Sequence, residues 1–100
     1  MANKKNNSII IYTKLGCPYS REAKSFLNIL SLPFQEYSLD PHNPRYTQIK
    51  QQLSNQFKHN TFPIIIIGNT VLGGHYELVQ AYETKVLHHL CHNIGFNIYN

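Results

Sequence analysis

The sequence predicts a single α/β domain: a four-stranded mixed sheet with helices on both faces, in the order β-α-β-α-β-β-α. Three observations predict it. Short β-branched runs alternate with longer stretches of helical apolar spacing, as in strand–helix–strand units. One run, Pro63–Ile67, is continuously apolar, which suits a strand covered on both faces. The chain has 100 residues, of which 42% are hydrophobic and 12% aromatic, enough for one core and too few for two domains.

Each element follows from local chemistry. Residues 1–7 are Asn- and Lys-rich and read as a disordered polar tail. The domain then runs over residues 8–92, with 93–100 as a C-terminal extension. Ser8–Thr13 is β-branched and aromatic and reads as a buried strand. Lys14-Leu15-Gly16 breaks it, and Cys17-Pro18 opens a helix through Leu30. Pro18 is tolerated there because a first-turn N–H has no intrahelical partner. Ala23, Phe26, Leu27 and Leu30 fall on one face. Phe34–Leu39 alternates as a second strand, and Asp40-Pro41 and Asn43-Pro44 mark a turn. A helix from Arg45 to Phe57 follows, with Tyr46, Ile49, Leu53 and Phe57 on one face. Pro63–Ile67 and Thr70–Leu72 flank Gly68-Asn69 and predict an antiparallel hairpin. Gly73-Gly74 ends it. One last helix is predicted from Glu77 to His92, with Leu78, Val79, Tyr82, Val86, Leu87 and Leu90 apolar. The first β-α-β unit implies parallel strands and a right-handed crossover.

Charge and cysteine usage narrow the function classes. The formal net charge is +4, but the basic residues are scattered apart from Lys4-Lys5. A nucleic-acid surface, which needs clustering, is therefore not expected, and a small anionic substrate fits better. The start, MANKKNN, does not read as a signal peptide, and no apolar stretch is long enough to span a bilayer. Cys17 and Cys91 have unlike surroundings and do not form a disulfide framework. A reducing, cytoplasmic setting with no membrane partner is the expectation.

The chemistry centres on Cys17. It follows a strand and a Gly turn at the mouth of a helix, whose N–H groups and dipole favour a thiolate. Such placement lowers a thiol pKa, and Lys14 adds positive charge. The thiolate is the species that attacks disulfides. The plainer reading, a buried structural cysteine, does not explain the strand–turn–Cys-Pro–helix context.

Cys17-Pro18-Tyr19-Ser20 resembles the glutaredoxin motif Cys-Pro-Tyr-Cys, with serine replacing the second cysteine. Thr61-Phe62-Pro63 resembles that family's Thr-Val-Pro segment, and Gly73-Gly74 its Gly-Gly after the last strand. The three occur in the family's order, and the resemblance covers about Ser8 to His92. It implies a thioredoxin-like fold and glutathione as co-substrate. It also implies a cis bond before Pro63 facing Cys17, with the backbone of Phe62 pairing the peptide backbone of glutathione. Gly74 would allow close approach, and the amides of His75 and Tyr76 would hold the γ-glutamyl carboxylate. Lys14 would take the glycyl carboxylate, with Lys58 or His59 as helpers. Tyr19 would pack beside the sulfur and Ser20 would hydrogen-bond it. The family usually carries Asp or Asn at the position of Tyr76 and Asp at that of Glu77. Glu77 is the candidate replacement for the lost acid.

Ser20 cannot resolve a mixed disulfide, because a hydroxyl is no substitute for a thiolate. The expected activity is therefore a monothiol glutathione-disulfide oxidoreductase cycle on glutathionylated proteins, by a monomer, with no metal. The alternative is a dimer holding a [2Fe-2S] cluster through one cysteine per chain and two glutathiones. Against it, cluster-delivering relatives carry Cys-Gly-Phe-Ser. Two further readings are a metal patch at His88, His89, Cys91 and His92 and a non-catalytic interaction domain on the same fold. Cys91 is expected to be packed rather than a resolving thiol.

Overall fold

The computed structural model describes residues 7–99, so the expected tail lies outside the described residues except for Asn7. The elements are β1 (Ile9–Lys14), α1 (Pro18–Ile29), β2 (Gln35–Leu39), α2 (Tyr46–Phe57), β3 (Ile64–Ile67), β4 (Thr70–Gly73), α3 (His75–Glu83) and α4 (Val86–Asn93). The four strands form one sheet in the order β2-β1-β3-β4. β1 pairs in parallel with β2, Ile10 opposite Gln35. It pairs antiparallel with β3, Ile9 opposite Ile67. β3 and β4 form the predicted hairpin, with a register shift between Ile65 and Ile66.

The alternation of side chains along the two central strands divides the interior. Ile9, Ile11, Ile65 and Ile67 face one side, where Ala23, Leu27, Leu78, Leu87 and Cys91 cover them. Ile64 and Ile66 face the other side with Leu39 and Leu53, flanked by Ile10, Tyr12, Ile49, Phe57 and Phe62. Helices α1, α3 and α4 therefore cover one face and α2 the other. Each fully buried Ile or Leu contributes about 1.5–3 kcal/mol, so the isoleucine run of β3 does most to fix the sheet between its two layers. β2 is an edge strand, exposed along Gln35–Ser38 and buried only at Leu39.

The predicted single last helix is corrected to two. α3 starts at His75 and ends at Glu83, and α4 begins at Val86. Between them Lys85 adopts a left-handed conformation, φ 70°, and Thr84 Oγ1 donates to Gln80 O at 2.9 Å. The bend lets Leu87 and Cys91 enter the core while Val86, predicted on the apolar face, is 47% exposed. No Gly or Pro marks the break, so the helical spacing reads straight through it. Beyond α4 the expected extension is not loose: Ile94, Phe96 and Ile98 pack against the larger cluster.

Candidate active site

The Cys17 thiol is placed by the end of β1. Gly16, at φ 84°, turns the chain out of the strand, a conformation open to glycine at no steric cost. Cys17 then sits in the extended cap position of α1, with Pro18 at the first helical position. Its backbone N–H donates to Lys14 O at 3.1 Å. The thiol donates toward Phe62 O, Sγ to O 3.9 Å, across 45 positions of sequence. The Phe62–Pro63 bond is cis, as the resemblance implied.

Partial burial works to raise the Cys17 pKa. Against it act the backbone N–H and hydroxyl of Ser20, the N–H of Tyr19 and the charge of Lys14, and these win: the thiol is held below its ordinary value. Ser20 is 3% exposed, and its Oγ also accepts from Lys14 N at 3.3 Å. It occupies the first turn of α1, three residues after Cys17, as a hydrogen-bond donor to the sulfur. Cys91 is the opposite case. It is fully buried in the larger core cluster, and burial pushes its thiol up to about 11. Burial thus disfavours its thiolate, in line with a packing role.

Two depressions flank Cys17. Toward β3 and β4 lies a groove of about 690 Å³ lined by Tyr19, His59, Thr61, Phe62, Pro63, Gly74, His75, Tyr76, Glu77 and Val79. It brings together all the expected glutathione contacts except Lys14. Tyr19 and Tyr76 are 64% and 66% exposed and stand on the rim, with the Tyr19 ring 6.1 Å from that of His75. His59 and Thr61 line the same groove, His59 Nε2 lying 3.3 Å from Thr61 Oγ1. Toward β2 lies a smaller depression of about 210 Å³, lined by Cys17, Lys14, Ser20, Arg21, Lys24 and Glu36 among others. Lys14 thus lines this second depression and not the groove beside Phe62. Lys58 forms the left-handed cap of α2, φ 56°, and lines neither.

The sequence made Glu77 the candidate replacement for the acid lost at Tyr76; in the structure its carboxylate is engaged in capping α3. Glu77 Oε1 accepts from Gly74 N at 2.8 Å, the reverse arm of a capping box at the start of α3. A Cβ on Gly73, where φ is 122°, would lie 2.9 Å from Glu77 Cγ. Gly73 is thus needed for the cap, while Gly74 borders the groove. The Glu three residues after Gly74 was the signal in the sequence. Among the described residues no three His, Cys, Asp or Glu side chains gather as a metal site, and no helix is long and apolar enough to cross a membrane.

Comparison with known proteins agrees with this geometry. The family model described as Glutaredoxin matches residues 9–72. Glutaredoxin-2 of Schizosaccharomyces pombe is 32% identical over 82 residues, covering 82% of this chain and 74% of the relative. Monothiol glutaredoxin-7 of Saccharomyces cerevisiae is 29% identical over 82 residues, 79% of this chain, of which the chain spans only 40%. The crystal structure of a buckwheat glutaredoxin–glutathione complex superposes with a TM-score of 0.79 at 19% identity, covering 89% of this chain and 80% of that one. At that identity the likeness establishes the fold.

Proposed function

This chain belongs to the glutaredoxin family, whose members are thiol–disulfide oxidoreductases, and from that premise we propose that it reduces protein–glutathione mixed disulfides by a monothiol cycle on Cys17. The observation that carries the reading is the pairing of a lowered Cys17 thiol with a buried serine at position 20 and a second cysteine sealed in the core.

In the cycle, the Cys17 thiolate attacks the glutathione sulfur of the mixed disulfide. The old S–S bond breaks, the protein thiolate leaves and takes a proton, and Cys17 becomes glutathionylated. The thiolate of a second glutathione attacks that glutathione sulfur, releasing glutathione disulfide and restoring the Cys17 thiolate. The net reaction consumes one free glutathione: the mixed disulfide plus glutathione gives the protein thiol and glutathione disulfide, and the two exchanges leave Cys17 unchanged. Ser20 N–H and hydroxyl, Tyr19 N–H and Lys14 stabilise the thiolate both as nucleophile and as leaving group. Glutathione occupies the larger groove: its backbone pairs with that of Phe62 beside Pro63, its γ-glutamyl carboxylate meets the first amides of α3 at His75 and Tyr76, and Gly74 leaves it room. The relative solved with glutathione supports this ligand. Lys14, on the lining of the smaller depression, serves the glycyl carboxylate.

The test is glutathione-dependent reduction of a small glutathione mixed disulfide, coupled to glutathione reductase and NADPH. Wild type and Cys91→Ser turn over and Cys17→Ser does not. An inactive wild type overturns the reading. Among the described residues Cys17 is the one thiol open to solvent, so a [2Fe-2S] cluster would need a second chain and external thiols. A coloured dimer in anaerobic preparations would mark that alternative.

A further inference from the structure

The smaller depression is not used by the glutathione groove except through Lys14. It lies between the end of β1, the outer face of α1 and the edge strand β2, and Cys17 itself lines it. Three cations, Lys14, Arg21 and Lys24, share it with one carboxylate, Glu36. That carboxylate is already satisfied: Lys24 Nζ lies 3.1 Å from its Oε2, and the buried Thr13 Oγ1 donates to it at 2.6 Å. The hydroxyl of Ser38 adds a donor on the lining. Arg21 is exposed, and its guanidinium makes no hydrogen bond or ion pair among the described residues. The depression therefore carries on its lining a forked donor of positive charge beside Cys17, and Glu36, the one acid on that lining, is held by other groups; Arg21 also lines a neighbouring depression with Glu22.

We propose that this depression is a docking subsite for an acidic residue of the substrate polypeptide, adjacent in sequence to its glutathionylated cysteine, with Arg21 as the principal contact. The proposal rests on the mixed-disulfide reading above. The geometry suits it. An extended polypeptide advances about 3.3–3.6 Å per residue, so a carboxylate one or two residues from the exchanged cysteine reaches a pocket that Cys17 itself lines. A volume of about 210 Å³ admits a carboxylate side chain. Guanidinium presents paired N–H donors to a carboxylate, and opposite charge at a surface chiefly speeds productive encounter. The glutathione half lies toward β3 and β4 and meets this depression only at Lys14, which leaves Arg21 to the polypeptide half.

The experiment compares two glutathionylated synthetic peptides differing only in having Glu or Gln beside the cysteine. The small mixed disulfide of glutathione and 2-mercaptoethanol is the control. Wild type should favour the Glu peptide by about fivefold in kcat/KM at low ionic strength, the upper end for an exposed pair, and lose the preference in high salt. Arg21→Gln should bring the ratio close to one. Glu36→Gln removes the opposing charge and should widen it. Neither substitution should change turnover of the control. An absent preference, or one that Arg21→Gln and Glu36→Gln do not move in opposite directions, overturns the proposal while normal control turnover leaves the mixed-disulfide reading standing. Failure of wild type on the control overturns both.

Discussion

Gly73 and Glu77 should be energetically coupled, and the coupling can be worked out from their contacts. Alanine at 73 meets two penalties. Its φ of 122° lies in the region that L-residues avoid, which costs about 1–3 kcal/mol. Its Cβ would also come within 2.9 Å of Glu77 Cγ and 3.0 Å of Oε1. Glu77 Cβ at 3.1 Å is fixed to the backbone and needs a shift of only a few tenths of an ångström, while the two closest atoms, Cγ and Oε1, lie on the rotatable part of Glu77, which would swing away. That movement breaks the 2.8 Å hydrogen bond to Gly74 N, a cap of about 1 kcal/mol. Glu77→Ala alone loses the same cap. The cap can be lost only once. Gly73→Ala is therefore expected to cost about 3 kcal/mol, Glu77→Ala about 1, and the double variant about 3 rather than 4. Urea denaturation of the three variants and wild type, monitored by circular dichroism, measures the cycle. Additivity within a few tenths of a kcal/mol would refute the account, because it would mean that the Glu77 side chain does not fill the space a Cβ at 73 requires. Both single variants should also raise the KM for glutathione, since the first amides of α3 lose their fixed position.

Other outcomes follow from the same geometry. Cys91→Ser puts a hydroxyl into a fully buried site and should cost about 1–3 kcal/mol in denaturation while leaving turnover intact. Alkylation of Cys17 by iodoacetamide should have its pH midpoint below that of free glutathione measured alongside, because hydrogen bonds and Lys14 outweigh burial. Ser20→Ala should move that midpoint upward. Glu36 is held below the usual carboxylate range, first by the hydroxyl of Thr13 and then, against the opposing effect of burial, by Lys24. A lowered carboxyl pKa stabilises the fold above the ordinary value of about 4.3, and that contribution disappears as pH falls through the folded value. Thr13→Val should therefore cost about 1 kcal/mol at neutral pH and flatten the loss of stability between neutral and acidic pH, read from denaturation midpoints across that range.

The sequence by itself determined the order of the elements through the start of α3 and the placement of Cys17 at the mouth of α1. Those features are local. The β-branched run Ser8–Thr13, the doubly apolar Pro63–Ile67 run and the i, i+4, i+7 spacing of Ala23, Leu27 and Leu30 each follow from which face meets a neighbouring layer. Cys17 after a Gly turn and before Pro18 is likewise a short-range pattern, and it carried the thiol chemistry with it. The tertiary structure alone decided what depends on residues distant in the chain. The approach of Phe62 O to Cys17 Sγ at 3.9 Å joins two loops that share no local signal. Lys14 and His59 line different depressions, one beside β2 and one at the start of β3, and those strands flank β1 on opposite edges, a fact of sheet order rather than of spacing. The left-handed turn at Lys85 splits a sequence whose periodicity is continuous. Entry of Leu87 and Cys91 into the core stabilises the fold by more than one strained residue costs, and that comparison can be made only once the core exists.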